Sequence, residues 1–237
     1  MATWLKHSKA IDWRHGWTDK AGPDFLSAPT SDEHRLAVQK LVDVVGLRAG
    51  AWVHQVHGGT VLRATEPGYI GEADALWTTE PGLGVVGRSA DCPLILISGN
   101  DASGMAYRAF AHASWRSTVA QITHNVMKEM IKAGMLVERA QALICPSAGP
   151  CCYEVGPEVQ EAALKELGTN SAAHFVPYGD GIAYDLWAAN RAQLEAAGMA
   201  SRDIFVTGVC TICSGHEYPS HRREKGLAGR MAAICGA

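Results

Sequence analysis

No part of this 237-residue chain approaches the roughly 18 consecutive apolar residues that a membrane span requires, so no membrane partner is expected. No secretory leader is expected either: Lys6, Lys9, Asp12 and Arg14 interrupt the apolar residues near the start, and a cytoplasmic location is the expectation. Neither sign of charge dominates. With 21 Lys and Arg against 24 Asp and Glu the net charge is −3, which gives no overall attraction for nucleic acid and leaves any anionic small molecule to local arginines. Linkers, internal repeats and low-complexity tracts are absent, and the length suits one α/β domain, 1–237, with a large core. Seven cysteines are an odd number in a chain far longer than disulfide-stapled secreted domains, so they read as reduced thiols. The ten histidines are scattered, which argues against dense copper clusters.

What the chain does contain is regular punctuation. A capping box of Thr30 with Glu33 predicts a helix to Val45, with Ala37, Val38, Leu41, Val44 and Val45 as its apolar stripe and Gly46 as its stop. Strand-like runs follow at 51–56, 60–63, 84–87, 94–98 and 106–112. Ser117 is expected to cap a helix reaching Ala133, with Val119, Ile122, Val126 and Met130 on one face. Two later helices are predicted over 157–167, with Pro at its first turn, and 186–197, capped by Asp185, and strands over 141–145, 175–178 and 204–210. Consecutive strands flanked by separated helices point to an α+β fold of mixed or antiparallel sheets with helices outside.

Three short segments each carry a soft or borderline metal ligand: His54-Gln55-Val56-His57-Gly58, Ala90-Asp91-Cys92-Pro93 and Ala111-His112-Ala113-Ser114-Trp115-Arg116. Two imidazoles and a thiolate suit zinc, and a set of three leaves a fourth position for water or substrate, as catalytic sites do. Taken singly, each has an ordinary explanation as a hydrogen-bonded His or a packed Cys, and no local spacing joins them. Cys210-Thr211-Ile212-Cys213 has C-x-x-C spacing but no second pair at suitable distance in sequence, so it and the adjacent Cys151-Cys152 read as structural, packed cysteines.

In their order, the three segments resemble the core motifs of the YfiH family, the polyphenol oxidase or "laccase" domain proteins. Two further blocks are similar: Gly149-Pro150-Cys151-Cys152-Tyr153-Glu154-Val155-Gly156, and Cys210-Thr211 followed by Arg222-Arg223 and Gly229-Arg230-Met231. The resemblance implies a layered α/β/β/α arrangement in a fold related to Cys-His deamidase toxins, with His57, Cys92 and His112 holding zinc. It also implies an enzyme of the purine nucleoside phosphorylase and adenosine deaminase type, acting on a nucleoside and phosphate. His54 matches none of the family's ligands. The family's N-terminal Gly-Gly and Ser-Leu-Asn motif is missing, and its usual Gly-Trp-Arg-Gly reads Ser114-Trp115-Arg116-Ser117.

On that reading zinc lowers the pKa of a bound water from about 15.7 to about 7, Cys92 and His112 stand at the reaction centre, and Asp91 or Glu154 handles the proton. Arg116, Arg222, Arg223 and Arg230 offer guanidinium forks for phosphate, Arg116 foremost because it lies four residues after a ligand. Tyr153 and Trp115 offer rings for a base to stack on. The H-x-E and P-C-x-x-C pattern of nucleotide deaminases is absent, so deamination would use this separate site. The alternatives are a copper-dependent polyphenol oxidase, with copper replacing zinc, and a Cys-His hydrolase or deamidase with Cys92 as nucleophile and His112 as base. The sequence leaves the oligomeric state open.

Overall fold

The computed structural model describes residues 2–237. Two six-stranded sheets stack face to face. The first runs, in spatial order, β1 (Leu5–Lys6), β2 (His15–Thr18), β15 (Met231–Gly236), β7 (Leu83–Ser89), β3 (Ala49–His54) and β5 (Gly68–Glu72). The second runs β14 (Ile204–Val206), β10 (Leu136–Ile144), β8 (Leu94–Asn100), β9 (Ala106–His112), β6 (Ala75–Thr78) and β4 (Val61–Arg63). A three-stranded sheet of β11 (Glu154–Val155), β13 (Gly181–Tyr184) and β12 (Phe175–Tyr178) lies apart from both. Helix α1 (Asp32–Val45) covers the first sheet; α2 (Trp115–Val119), α3 (Ile122–Lys132), α4 (Pro157–Leu167) and α5 (Leu186–Ala196) follow along the chain.

The run Leu94-Ile95-Leu96-Ile97 shows why the layers form. Successive strand residues point to opposite faces, so Leu94 and Leu96 enter the core between the sheets with Val53, Val85, Phe110 and Leu143. Ile95 and Ile97 enter the outer core, where α3 lays Ile122, Val126 and Met130 and α5 adds Leu194. On the opposite side Val38, Leu41 and Val42 of α1 pack on Trp52, Val86 and Ile234. The sequence of layers is α/β/β/α, as expected. At the middle of the sandwich Gly87 permits close approach, since a Cβ there would lie 2.6 Å from the Phe110 ring.

Several expectations are corrected. Helix α1 is capped by Ser31, whose Oγ accepts from His34 N at 3.2 Å, so the cap falls one residue after Thr30 and no Thr30–Glu33 box forms. Val44 is exposed, and Val42 takes its place in the stripe. The expected 117–133 helix is two helices. Ser114, not Ser117, caps α2, accepting from Ser117 N at 3.1 Å; the serine standing where the family has glycine thus supplies a cap. Gln121, at φ 58°, then reverses the chain before α3. A buried polar network fills that break: Asn190 Nδ2 donates to Thr118 Oγ1 at 3.0 Å, Thr123 Oγ1 donates to Asn190 Oδ1 at 2.7 Å, and Gln193 Nε2 donates to the Thr118 carbonyl at 2.7 Å. The strand expected over 204–210 stops at Val206, and Cys210 pairs only through a single bridge to Ser147. No helix among the described residues is long and apolar enough to cross a membrane.

Candidate metal centre

His57 follows β3, Cys92 lies in the turn from β7 to β8, and His112 ends β9. Because β8 and β9 pair with Leu94 opposite His112, the thiol and the imidazole arrive at the same end of the second sheet. The loop after β3 brings His57 across from the first sheet. One ligand atom from each of the three lies within 4.8 Å of the others, and the two imidazole centroids are 5.2 Å apart. Bonds of about 2.0–2.3 Å put two ligands of one tetrahedral zinc roughly 3.3–3.8 Å apart, a spacing compatible with that limit. Two imidazoles and a thiolate are a donor set that fits zinc.

The centre is held by a residue that the sequence reading missed. Asp74, fully buried between β5 and β6, accepts from the amides of Val56 at 3.2 Å, His57 at 3.0 Å and Gly58 at 2.6 Å. Its Oδ1 also lies 2.8 Å from His112 Nδ1, and its carbonyl accepts from His112 N at 2.7 Å. One carboxylate therefore shapes the His57 loop and fixes the His112 tautomer so that Nε2 faces the centre, the supporting role that carboxylates commonly play for metal-bound histidines. Burial would raise the Asp74 carboxyl, but hydrogen bonds from His112 and the loop amides hold it below its ordinary value. Nothing marks an Asp between two alanines as special in sequence; only the fold aims it.

Electrostatics at the thiol agree. Burial opposes ionisation of Cys92, yet the His112 charge and hydrogen bonds from His112 and His57 outweigh it and bring the thiol down to about 6. Burial likewise opposes a charge on His112, and the Cys92 thiolate with Asp74 raises it to about 9. Without metal the two therefore form a thiolate–imidazolium pair. His57 and Asp91 both hold positive φ, 61° and 89°, two of the four non-glycine residues that do so among those described, and such conformations persist only where surrounding contacts enforce them.

Asp91 is fully engaged. Its carboxylate accepts from Thr211 Oγ1 at 2.6 Å, Ser220 Oγ at 3.1 Å and Arg222 N at 2.7 Å, so it ties the C-terminal loops to the Cys92 turn. Glu154 is exposed on β11, and it is its carbonyl that meets Arg222, Nη1 donating at 3.0 Å. Arg223 donates inward to the carbonyls of Thr211, Ile212 and Tyr218, which makes it a brace for that loop and leaves it unsuited to a ligand. Arg116 stacks on its own neighbour Trp115, 4.2 Å from the ring, and Arg222 lies 5.3 Å from the Tyr153 ring. Trp115, Tyr153, Glu154 and Arg222 line a separate groove of about 350 Å³. His54 pairs with Glu72 at 3.4 Å.

The three ligands open instead onto a pocket of about 310 Å³, whose other walls include Gln55, Arg88, His221 and Arg230. Arg88 Nη1 donates to the carbonyls of Phe25 at 2.7 Å and Ser27 at 2.5 Å, and Arg230 Nη1 to those of Ala228 at 2.7 Å and Gly229 at 3.0 Å. Burial, and then the Arg230 charge, lower the pKa of Arg88, with Asp24 opposing. Two cations thus crowd one wall beside the three candidate ligands. A bound anion would relieve that repulsion.

A family model described as "Multi-copper polyphenol oxidoreductase laccase" matches residues 30–237. A purine nucleoside phosphorylase of Deinococcus radiodurans is 35% identical over 187 residues, covering 78% of this chain and 69% of that protein. An adenosine deaminase of an unknown prokaryotic organism is 38% identical over 159 residues, 66% of this chain and 59% of that protein. The crystal structure of YfiH from Bacillus licheniformis superimposes with a TM-score of 0.81 at 23% identity, covering 94% of this chain and 92% of that one.

Proposed function

Since the chain belongs to the YfiH family of laccase-like polyphenol oxidoreductases, we propose that it is a purine nucleoside enzyme holding zinc at His57, Cys92 and His112. The reactions we assign to it are phosphorolysis of adenosine, inosine, guanosine or methylthioadenosine, and deamination of adenosine. The observation that carries this reading is the convergence of two imidazoles and a lowered-pKa thiol beside two arginines in one pocket. When bound, zinc supplies Lewis acidity, polarising an oxygen or acidifying a water. Asp74 holds the Nδ1 proton of His112, so on loading the imidazolium gives up its Nε2 proton and turns that nitrogen to the ion, while Cys92 reaches the ion already as a thiolate. Arg88 and Arg230 hold and orient phosphate: only Nη1 of each is hydrogen-bonded among the described residues, so the rest of each fork remains for the anion. On this reading the phosphate cradle is Arg88 and Arg230, not Arg116. Asp91, with its three hydrogen bonds, positions Cys92 and the Arg222 loop.

Copper oxidase chemistry is less well supported. Apart from the His57, Cys92 and His112 set, the one other group of three or more possible ligands among the described residues contains cysteines alone, so the additional histidine clusters of a multicopper centre are missing. A metal-free hydrolase has one specific observation in its favour: Cys92, His112 and Asp74 line up as nucleophile, base and orienting carboxylate. Elemental analysis combined with a nucleoside panel, with and without phosphate, separates the three. Zinc near one equivalent at this site, base release that requires phosphate, and loss of activity on chelation support the proposal. Full activity in metal-free protein would establish the Cys-His enzyme, and copper with oxygen-dependent phenol oxidation would establish the oxidase.

A further inference from the structure

We propose that Cys151, Cys152, Cys210 and Cys213 form a second, structural zinc site, closed by four thiolates and separate from the catalytic centre. Their sulfurs all lie within 4.8 Å of one another. The Cys151 and Cys213 sulfurs are 3.7 Å apart, close to the roughly 3.8 Å edge of a tetrahedron with zinc–sulfur bonds of about 2.3 Å. All four are free thiols.

Packing does not explain the cluster. Cys145 and Cys235 are buried in the sandwich as small apolar residues are, whereas Cys151 and Cys213 are exposed. The C-x-x-C pair sits on a turn whose first sulfur meets a backbone amide: Gly149 N donates to Cys210 Sγ at 3.3 Å. Amide donors of this kind stabilise a thiolate ligand. The second pair, which appears missing in sequence, arrives on another tight turn, where the amides of Cys152 and Tyr153 both donate to the Gly149 carbonyl at 3.0 Å. Gly149 allows the approach, because a Cβ there would lie 2.6 Å from Trp187. Four soft ligands with no position left open define a structural site, in contrast to the three-ligand catalytic centre. Loading requires no oxidant; the thiol protons pass to solvent.

The placement gives the ion a role. Cys152 precedes Tyr153, on whose ring Arg222 lies, and the other turn carries Thr211, which donates to Asp91 next to Cys92. A zinc here clamps together two loops, one carrying Tyr153 of the neighbouring groove and the other carrying Thr211, which holds Asp91 beside Cys92.

Full-length protein purified with reductant should contain two zinc per chain. The exposed-pair variant Cys151→Ser/Cys213→Ser and the catalytic variant His57→Ala/His112→Ala should each contain one, which separates this proposal from the catalytic assignment. Cobalt substitution of the catalytic variant should show the intense near-ultraviolet charge transfer of a four-thiolate site. Alkylation of native wild type gives a reading independent of any variant's folding: exposed Cys151 and Cys213 should resist labelling until a chelator is added. Rapid labelling of both in zinc-replete protein, an isolated mass two hydrogens lighter per disulfide, or an unchanged zinc content in the exposed-pair variant would overturn the proposal.

Discussion

Replacing Asp74 by Asn tests the centre without touching a ligand. The carboxylate is fully buried and accepts from three amides and His112 Nδ1 at 2.6 to 3.2 Å. Asn keeps the shape but presents an NH2 in place of one oxygen, and each oxygen serves two of those four donors. In place of Oδ2 it leaves the amides of Val56 and Gly58 unpaired; in place of Oδ1 it leaves His57 N unpaired, and the His112 ring takes the other tautomer and turns an N–H toward the centre. An unsatisfied buried donor costs about 1–3 kcal/mol and a lost charge-assisted bond is of similar size, so the sum is about 2–4 kcal/mol. At roughly 2–4 °C per kcal/mol for a chain of this length, metal-free Asp74→Asn should melt about 5–15 °C below wild type. Zinc affinity, measured by competition with a chromophoric chelator, should fall by about 10–100-fold, the usual cost of losing a carboxylate behind a ligating His. Affinity and melting temperature both unchanged would refute the role given to Asp74.

Arg88→Lys and Arg230→Lys should each raise the KM for phosphate by about tenfold, roughly the 1.4 kcal/mol lost when a fork becomes a point charge, while deamination without phosphate changes little. Arg116→Lys should leave that KM unaltered, and steady-state kinetics on the three variants decide between the two locations. Burial, and then the Arg88 charge, lower His34 from 6.5 to about 4, with a Ser27 backbone hydrogen bond opposing. It is therefore neutral in the fold, and its contribution is complete above pH 6.5 and lost as pH falls through 4. Urea denaturation should show about 2–3 kcal/mol of stability disappearing across that window, and His34→Leu should flatten the profile there. Gly87→Ala forces a methyl against Phe110 and Leu94 and should destabilise by about 1–3 kcal/mol, measured as a lower denaturant midpoint with zinc content intact.

The residues that local physics governs were readable without coordinates. Pro157 at a first turn, Asp185 as a cap and Gly46 in the left-handed conformation set helix ends through bonds spanning three or four residues, and those helices appear where expected. The alternation in 94–98 likewise defines β8, because its two faces meet two different cores. The ligand trio was legible only as ordered motifs. Strand β15 shows the opposite case: Met-Ala-Ala-Ile-Cys-Gly is buried at every position and has no polar face to alternate with, so only pairing with β2 and β7, more than 140 residues earlier in the chain, makes it a strand. Asp74, Arg88 and the junction of Cys151-Cys152 with Cys210 and Cys213 belong to the same class. Their chemistry comes from hydrogen bonds and proximities between segments tens of residues apart, and these exist only once the two sheets have stacked and their loops meet at one end.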